Sequence, residues 1–321
     1  MTLPYVALGD SYAAGVGAGR PRSLCWRSLE GYPVTVAGSL GLTLAYQACL
    51  GATTHHVHAH QLDALSGDTT LVTLTIGGND IGFVPVLLAC AEPAWMSDSD
   101  SVIDHALAVL RQELPGRLDT LLGEVATRAP HARRVVTAYP RLFAGIDCSP
   151  VTFFTGHEMD RLNAAADELA VCIEDATRRT DAEFVDVRAP FAGHAVCQPD
   201  SYLNGVKPIV VNSFHPDTPG HEAYAAAVLA HIGATGPTAR ATEAEIVDGP
   251  CLPTDTPVFR VPDLTSARSL AGAAAHGLDP AEVLALGRRL EVVSATGFPD
   301  VAASERLHAM DAQVRSASGR P

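Results

Sequence analysis

The chain has no apolar run as long as the roughly 18 residues a helix needs to cross a bilayer, so nothing in it reads as a membrane span. Positive charge is also scarce: 22 Lys and Arg stand against 36 Asp and Glu, a formal net charge of −14. That balance repels nucleic-acid phosphates and gives no grip on an anionic membrane. The seven cysteines include no C-x-x-C pair, so the close spacing of a zinc site is missing. At least some of them read as small buried hydrophobes. No basic segment opens the chain, and Met1-Thr2-Leu3-Pro4 leads straight into an apolar run. The expectation is a cytoplasmic protein, or a secreted one whose leader has been removed.

What is present is enough for a folded enzyme-sized domain. Charged residues at 18% are too few for a disordered chain, and 47% hydrophobic residues supply a core. Strand-like runs cover Tyr5–Leu8, Thr43–Cys49, Leu71–Ile76, Arg134–Pro140 and Phe184–Val187. Helical spacing covers 30–40, a short piece from His55 to Leu65, 101–128, 158–179 and 220–232. In the fourth of these, Leu162, Ala166, Leu169, Ile173 and Ala176 form one apolar stripe. The alternation predicts a parallel sheet covered on both faces, an α/β fold. From Gly236 to Pro262 five prolines interrupt any period, which reads as a linker or draped loop. Three helical segments follow. The first is capped by Asp263 or Thr265 and stops at Gly277, the second opens at Asp279-Pro280-Ala281-Glu282, and the third runs from Pro299 to Ser316.

The chemistry gathers at strand ends. Gly9-Asp10-Ser11-Tyr12 closes the first apolar run, and Ser11, Gly51 and Asn79 each come just after a strand. All three therefore fall on the sheet edge where open α/β folds bind ligands. Gly15, Gly17 and Gly19 let backbone N–H groups approach a bound oxyanion. Such a serine needs a base, and His215, in Asn212-Ser213-Phe214-His215-Pro216, is the candidate. Serine first and histidine last is one of several chain orders that give the same geometry. The His55–His60 run puts His56 and His60 at i, i+4, a spacing that can bind metal. Asp63 is its one nearby carboxylate, and the reading assigns no metal there. His194 and His221 read as structural, bonding backbone near the loops.

Four blocks in order carry a resemblance. They are Gly9-Asp10-Ser11-Tyr12-Ala13-Ala14-Gly15, then Ala48-Cys49-Leu50-Gly51-Ala52-Thr53-Thr54, then Thr75 to Phe83 with Gly77-Gly78-Asn79-Asp80, and last Phe214-His215-Pro216 with Gly220-His221-Glu222-Ala223-Tyr224. Over residues 5 to 232 the chain resembles the SGNH (GDSL-type) hydrolases, and looks like their actinobacterial lipase/esterase branch. The resemblance implies a three-layer α/β/α sandwich with a flavodoxin-like parallel sheet. It implies Ser11 as nucleophile, His215 as general base, and an oxyanion hole of the Ser11 N–H, the Gly51 N–H and the Asn79 amide. No cofactor is implied.

One position departs from the family. An aspartate usually stands three residues before the histidine, and here it is Asn212. The reading is a Ser11–His215 dyad supported by the backbone carbonyl of Ser213 or Asn212, with a triad through Asp217 or Asp186 as the alternative. Secreted relatives carry disulfides at positions like Cys25–Cys49 and Cys148–Cys197. Both pairs are present, while Cys90, Cys172 and Cys251 have no assigned partner. The retained pairs speak for an extracytoplasmic ancestor and the start of the chain for a cytoplasmic home, so location stays open. Trp26, Trp95, Phe83 and Phe154 are core or acyl-pocket candidates.

The expected organisation is a catalytic domain over 1–235, a Pro-rich linker or draped loop over 236–263, and a helical appendage over 264–321. The appendage carries no catalytic constellation and reads as packing, with a lid, a self-association contact or a protein-docking surface as alternatives. The expected function is hydrolysis of small-molecule or lipid acyl esters through a Ser11 acyl-enzyme. Its alternatives are an acyltransferase, thioesterase or cyclising enzyme using the same acyl-enzyme, and, from another class, a non-catalytic binding module.

Overall fold

A computed structural model describes residues 4–251, 254–296 and 300–320. Met1 to Leu3, Pro253 and Pro299, which enter the sequence reading, lie outside the described residues.

The first strand, β1 (Tyr5–Gly9), is wholly buried. It sits between β2 (Leu44–Tyr46) and β3 (Leu71–Thr75), followed outward by β4 (Arg133–Thr137) and β5 (Glu183–Val185). A further strand, β6 (Ile246–Asp248), pairs with β2. Among the described residues the sheet order is β5-β4-β3-β1-β2-β6 and every pairing is parallel. Without β6 this is the flavodoxin-like order 2-1-3-4-5, whose switch point lies between β1 and β3. Ser11 follows β1 and Asn79 follows β3, so the two loops flank that crevice.

Helices cover the sheet in two groups. On one side α2 (Tyr32–Leu40) packs with α8 (Thr218–His231). A second group joins α3 (Thr54–His60), α5 (Ser99–Gln112), α6 (Leu114–Arg128) and α7 (Gly156–Arg179). Right-handed crossovers require this division, because the chain steps one way from β1 to β2 and the other way through β3, β4 and β5. The single turn α1 (Ser11–Ala14) follows β1 directly.

Several boundaries differ from the sequence reading for identifiable reasons. The long helix expected over 101–128 is two helices, broken at Glu113, with Pro115 in the first turn of α6. A proline is tolerated there because it has no N–H to lose from a helix interior. The helix α4 (Phe83–Ala91) was absent from the reading. Its sequence, FVPVLLACA, is apolar all round and shows no amphipathic stripe. β6 lies inside the Pro-rich stretch, too short and too exposed at the sheet edge to leave an alternating pattern.

The tail forms α9 (Ala267–Ala275), α10 (Pro280–Thr296) and α11 (Val301–Ser318). The cap of α9 is Ser266, whose side chain accepts from the Ser269 N–H; Asp263 instead braces the turn before it through the Thr265 N–H and hydroxyl. These helices bury a second core around Trp95, Phe153, Leu264, Val283, Leu307 and Met310, apart from the core beneath the sheet. Disulfides join Cys25 to Cys49 and Cys148 to Cys197. Cys90 and Cys172 are buried thiols.

Candidate active site

Ser11 is presented by the abrupt end of β1. Gly9 has φ of +128°, and a Cβ there would lie 2.2 Å from the Thr75 carbonyl oxygen, so only glycine lets β1 turn out beside β3. Its peptide is held by Gln61: the Gly9 N–H donates to Oε1 at 2.8 Å and Nε2 donates to the Gly9 carbonyl at 2.9 Å. Asp10 caps α1 by accepting the Tyr12 N–H at 3.0 Å, and its other oxygen accepts the Tyr139 hydroxyl. Burial raises the Asp10 carboxyl to about 7 against the pull of those two donors.

His215 reaches Ser11 from the loop before α8. Its Nε2 is 2.8 Å from the Ser11 Oγ, and its Nδ1 is 3.0 Å from the Ser213 carbonyl oxygen. A carbonyl can only accept, so Nδ1 carries the proton and the Nε2 lone pair faces the serine hydroxyl. Burial lowers the imidazole pKa to about 4, partly offset by hydrogen bonds to the Ser213 and Val211 backbone. The ring is therefore neutral at neutral pH.

The loop geometry is held from three sides. Phe214 has φ of +60°, a strained value for a side-chain-bearing residue. Its carbonyl accepts the Tyr12 hydroxyl at 2.8 Å, and its N–H donates to the Asn204 carbonyl at 2.9 Å. Asn204 also donates its N–H to the His215 carbonyl at 2.9 Å, and its side-chain amide to the Gly17 carbonyl at 3.0 Å. These contacts join the serine loop to the histidine loop.

Asn79 and Gly51 face the same space. The Asn79 Nδ2 donates to the Ala52 carbonyl at 3.0 Å, which fixes the amide and leaves its second hydrogen to point elsewhere. The neighbouring Asp80 accepts the Thr54 N–H at 3.0 Å and the Thr54 hydroxyl at 2.6 Å, fastening the 51–54 loop to the end of β3. Burial raises the Asp80 carboxyl above the usual range. Ser11, Gly51, Asn79 and His215 all line one cavity of about 30 Å³.

Apart from Phe83, most of the remaining sequence candidates lie outside this cavity. Asn212 ends the short turn Val210–Asn212, and its carbonyl accepts only a long 3.4 Å bond from the His215 N–H. Asp217 caps α8 through the Gly220 N–H, and Asp186 is forked onto Arg188. In the histidine run His56 closes the N-terminal cap of α3 with Thr53, and His58 meets Glu124 at 3.0 Å. His194 bonds the Asp200 carbonyl and His221 the Val16 carbonyl. Phe83 lines the cavity, Trp95 belongs to the second core, Phe154 packs on Phe214, and Trp26 lies against the main core.

Residues 7–223 match the GDSL-like lipase/acylhydrolase family. The chain belongs to this family. As an SGNH hydrolase it is 38% identical over 224 residues to a lipase of Streptomyces rimosus, an alignment covering 67% of this chain and 81% of that protein. Lipase 1 of Streptomyces coelicolor is 36% identical over 224 residues, covering 67% and 81% in the same way. The crystal structure of phospholipase A1 from Streptomyces albidoflavus NA297 superposes with a TM-score of 0.66 at 34% identity, covering 71% of this chain and 98% of that one. These relatives put the hydrolase in the actinobacterial lipase branch, and it is a carboxylic ester hydrolase.

Sequence reasoning missed Gln61, Asn204, Tyr12 and Tyr139 as supports of the site. All four act across long stretches of chain, and a single sequence carries no signal for such contacts. Thr254 and Thr256 were missed as well, lying outside the matched span; their hydroxyls donate to the Leu50 and Gly51 carbonyls at 3.1 and 2.6 Å.

Proposed function

We propose that this SGNH hydrolase cleaves acyl esters by a Ser11–His215 dyad in which the Ser213 carbonyl takes the place of an orienting carboxylate. The observation that carries the reading is the 2.8 Å contact from Ser11 Oγ to a His215 ring whose Nδ1 is already committed to Ser213 O. As Oγ attacks the ester carbonyl, Nε2 takes the hydroxyl proton. The carbonyl oxygen becomes an oxyanion, with the Ser11 N–H, the Gly51 N–H and the Asn79 amide as its donors. Collapse expels the alcohol, which takes the proton back from His215, and leaves an acyl group on Ser11. Water then attacks the acyl carbonyl with His215 again as base, and Ser11 recovers its proton as the acid leaves.

Among the described residues the His215 ring bonds the Ser213 carbonyl and the Ser11 hydroxyl, not a carboxylate. The Ser213 carbonyl dipole accepts its Nδ1–H, and the low pKa of the resting ring keeps the base form available.

The test is turnover of a p-nitrophenyl ester series from acetate to palmitate by the wild type, Ser11→Ala and Asn79→Ala. Ser11→Ala should abolish turnover, and Asn79→Ala should lower kcat by about 100- to 1,000-fold. Turnover retained by Ser11→Ala would sink the proposal. An enzyme whose Ser11 is labelled by a reactive phosphonate yet releases no acid would move the reading to acyl transfer.

A further inference from the structure

Beyond the family-matched span, the chain returns to the active site after β6. The Gly249 and Pro250 carbonyls accept the Arg27 guanidinium at 2.7 and 3.2 Å, and the same side chain bonds the Ala48 and Gln47 carbonyls at 2.8 and 3.0 Å. This anchors the returning segment to the end of β2. Residues 254–259 then run beside the cavity that holds Ser11: Thr254 and Thr256 bond the Leu50 and Gly51 carbonyls, and Pro257 to Phe259 line it.

We propose that segment 254–259 is a specificity wall: Thr254 positions the Gly51 amide, and Val258 with Phe259 restricts the site to short acyl chains. The proposal rests on the Ser11 reading given above.

The positioning argument comes from peptide geometry. The Leu50 carbonyl and the Gly51 N–H belong to one planar trans unit and point in opposite directions. The Thr254 hydroxyl donates to that carbonyl at 3.1 Å, which fixes the plane and aims the Gly51 N–H away from the segment. The Thr256 hydroxyl holds the next carbonyl, that of Gly51, at 2.6 Å. The fit admits no side chain, since a Cβ on Gly51 would lie 2.3 Å from the Thr254 Oγ1 and 3.1 Å from the Thr256 Cβ.

The size argument comes from the wall itself. Pro257, Val258 and Phe259 line the same cavity as Ser11 and His215. Phe259 is 4% exposed and meets the ring of Phe214 edge-on, with centroids 4.9 Å apart, so the wall is braced on the histidine loop. The free space beside Ser11 is small, about 30 Å³. A short acyl group suits a small space, and a longer alkyl chain meets Val258 and Phe259.

The full chain is assayed on p-nitrophenyl esters from acetate to palmitate, comparing wild type with Val258→Ala, Phe259→Ala, Thr254→Val, Thr254→Ser and Ser11→Ala. The wild type should favour acetate to butyrate. Each wall variant should raise kcat/KM for longer esters relative to acetate by about tenfold, the scale set by a methylene or two of pocket. Thr254→Val should lower kcat on acetate by about tenfold with KM little changed, as expected for a displaced catalytic donor, and Thr254→Ser should restore it. Val258 is 43% exposed, so its truncation tests the wall even where Phe259→Ala fails to fold. A wild-type preference for long chains, or an unchanged profile in folded Val258→Ala, would overturn the wall. A Thr254→Val variant that loses only thermal stability would overturn the positioning role. Turnover by Ser11→Ala overturns the underlying reading instead, so the two failures are distinguishable.

Discussion

Glu158, in the first turn of α7, and Arg315, in the last turn of α11, meet at 3.3 Å with their side chains 1% and 10% exposed. Arg315 also holds Asp311 at 2.8 Å, and Asp311 in turn accepts the Ala94 N–H at 2.6 Å. The other Glu158 oxygen closes the α7 capping box on Thr155. One carboxylate therefore both caps a helix of the sheet layer and docks the tail.

Removing the guanidinium should be costly, because two buried carboxylates lose their counter-charge. Arg315→Met is expected to lower stability by about 3–5 kcal/mol, read as a fall in the urea midpoint. The double variant Arg315→Met/Glu158→Gln should lose less than the single one. Equal losses would mean that packing, and not the stranded charge, holds α11 in place.

The Asn212 side chain has no place in the proposed proton path, since His215 is oriented by the Ser213 carbonyl. Asn212→Ala should keep kcat on a short ester within about threefold of wild type, far from the roughly 10⁴-fold loss that follows substitution of an orienting aspartate in a true triad. A loss of that larger order would return Asn212 to the mechanism.

The acid limb of kcat/KM reports the same ring. In the proposed mechanism His215 must be neutral to accept the serine proton, and burial lowers its pKa to about 4. Activity should therefore persist well below the ordinary histidine range and fall only as pH drops toward that value. A limb near 6.5 in the free enzyme would contradict the desolvated site.

The parts legible in the sequence were those set by local pattern. Strands such as Leu71–Thr75 are continuous apolar runs, and Gly9, Gly51 and Asn79 stand at their ends, so the sheet edge could be read without a structure. The Pro-rich stretch was harder. Its strand β6 is only three residues at a sheet edge, and Thr254 and Thr256 act on residues about 200 positions away. Gly-Asp-Ser announces itself by composition, whereas Gln61 bonding Gly9 across 52 positions does not. The contact of His215 Nδ1 with the Ser213 carbonyl also had no sequence signal, because a backbone carbonyl leaves no residue-type signature.

Arg27 is another support with no sequence signal. Its fully buried guanidinium bonds four carbonyls that belong to β2's exit and to the segment after β6. Burial lowers its pKa, with Asp248 at 3.9 Å acting the other way. Arg27→Met should cost roughly 3 kcal/mol or more, since unpaired buried carbonyls cost about 1–3 kcal/mol each and some will find water. Urea denaturation measures the loss. A near-neutral substitution would show that water replaces the guanidinium without penalty.

Asp10 gives a stability signature of opposite sign to that of a salt-bridged carboxylate. Its folded pKa is raised to about 7, so the native state holds this proton more tightly than the unfolded chain does. The stability linked to the protonated form is fully present below the unfolded value of 3.8 and is lost as pH climbs to about 7. Above that the native state carries a buried carboxylate at constant cost. A rise of this size corresponds to at most about 4 kcal/mol across the window. Asp10→Asn keeps a side-chain oxygen for the Tyr12 N–H but cannot ionise. Measured against wild type by urea unfolding from pH 4 to 7, it should gain stability steadily as pH rises and level off beyond. A difference that stays flat across the window would show that the carboxyl beside Ser11 does not titrate there, and that the Tyr12 and Tyr139 donors hold it ionised throughout.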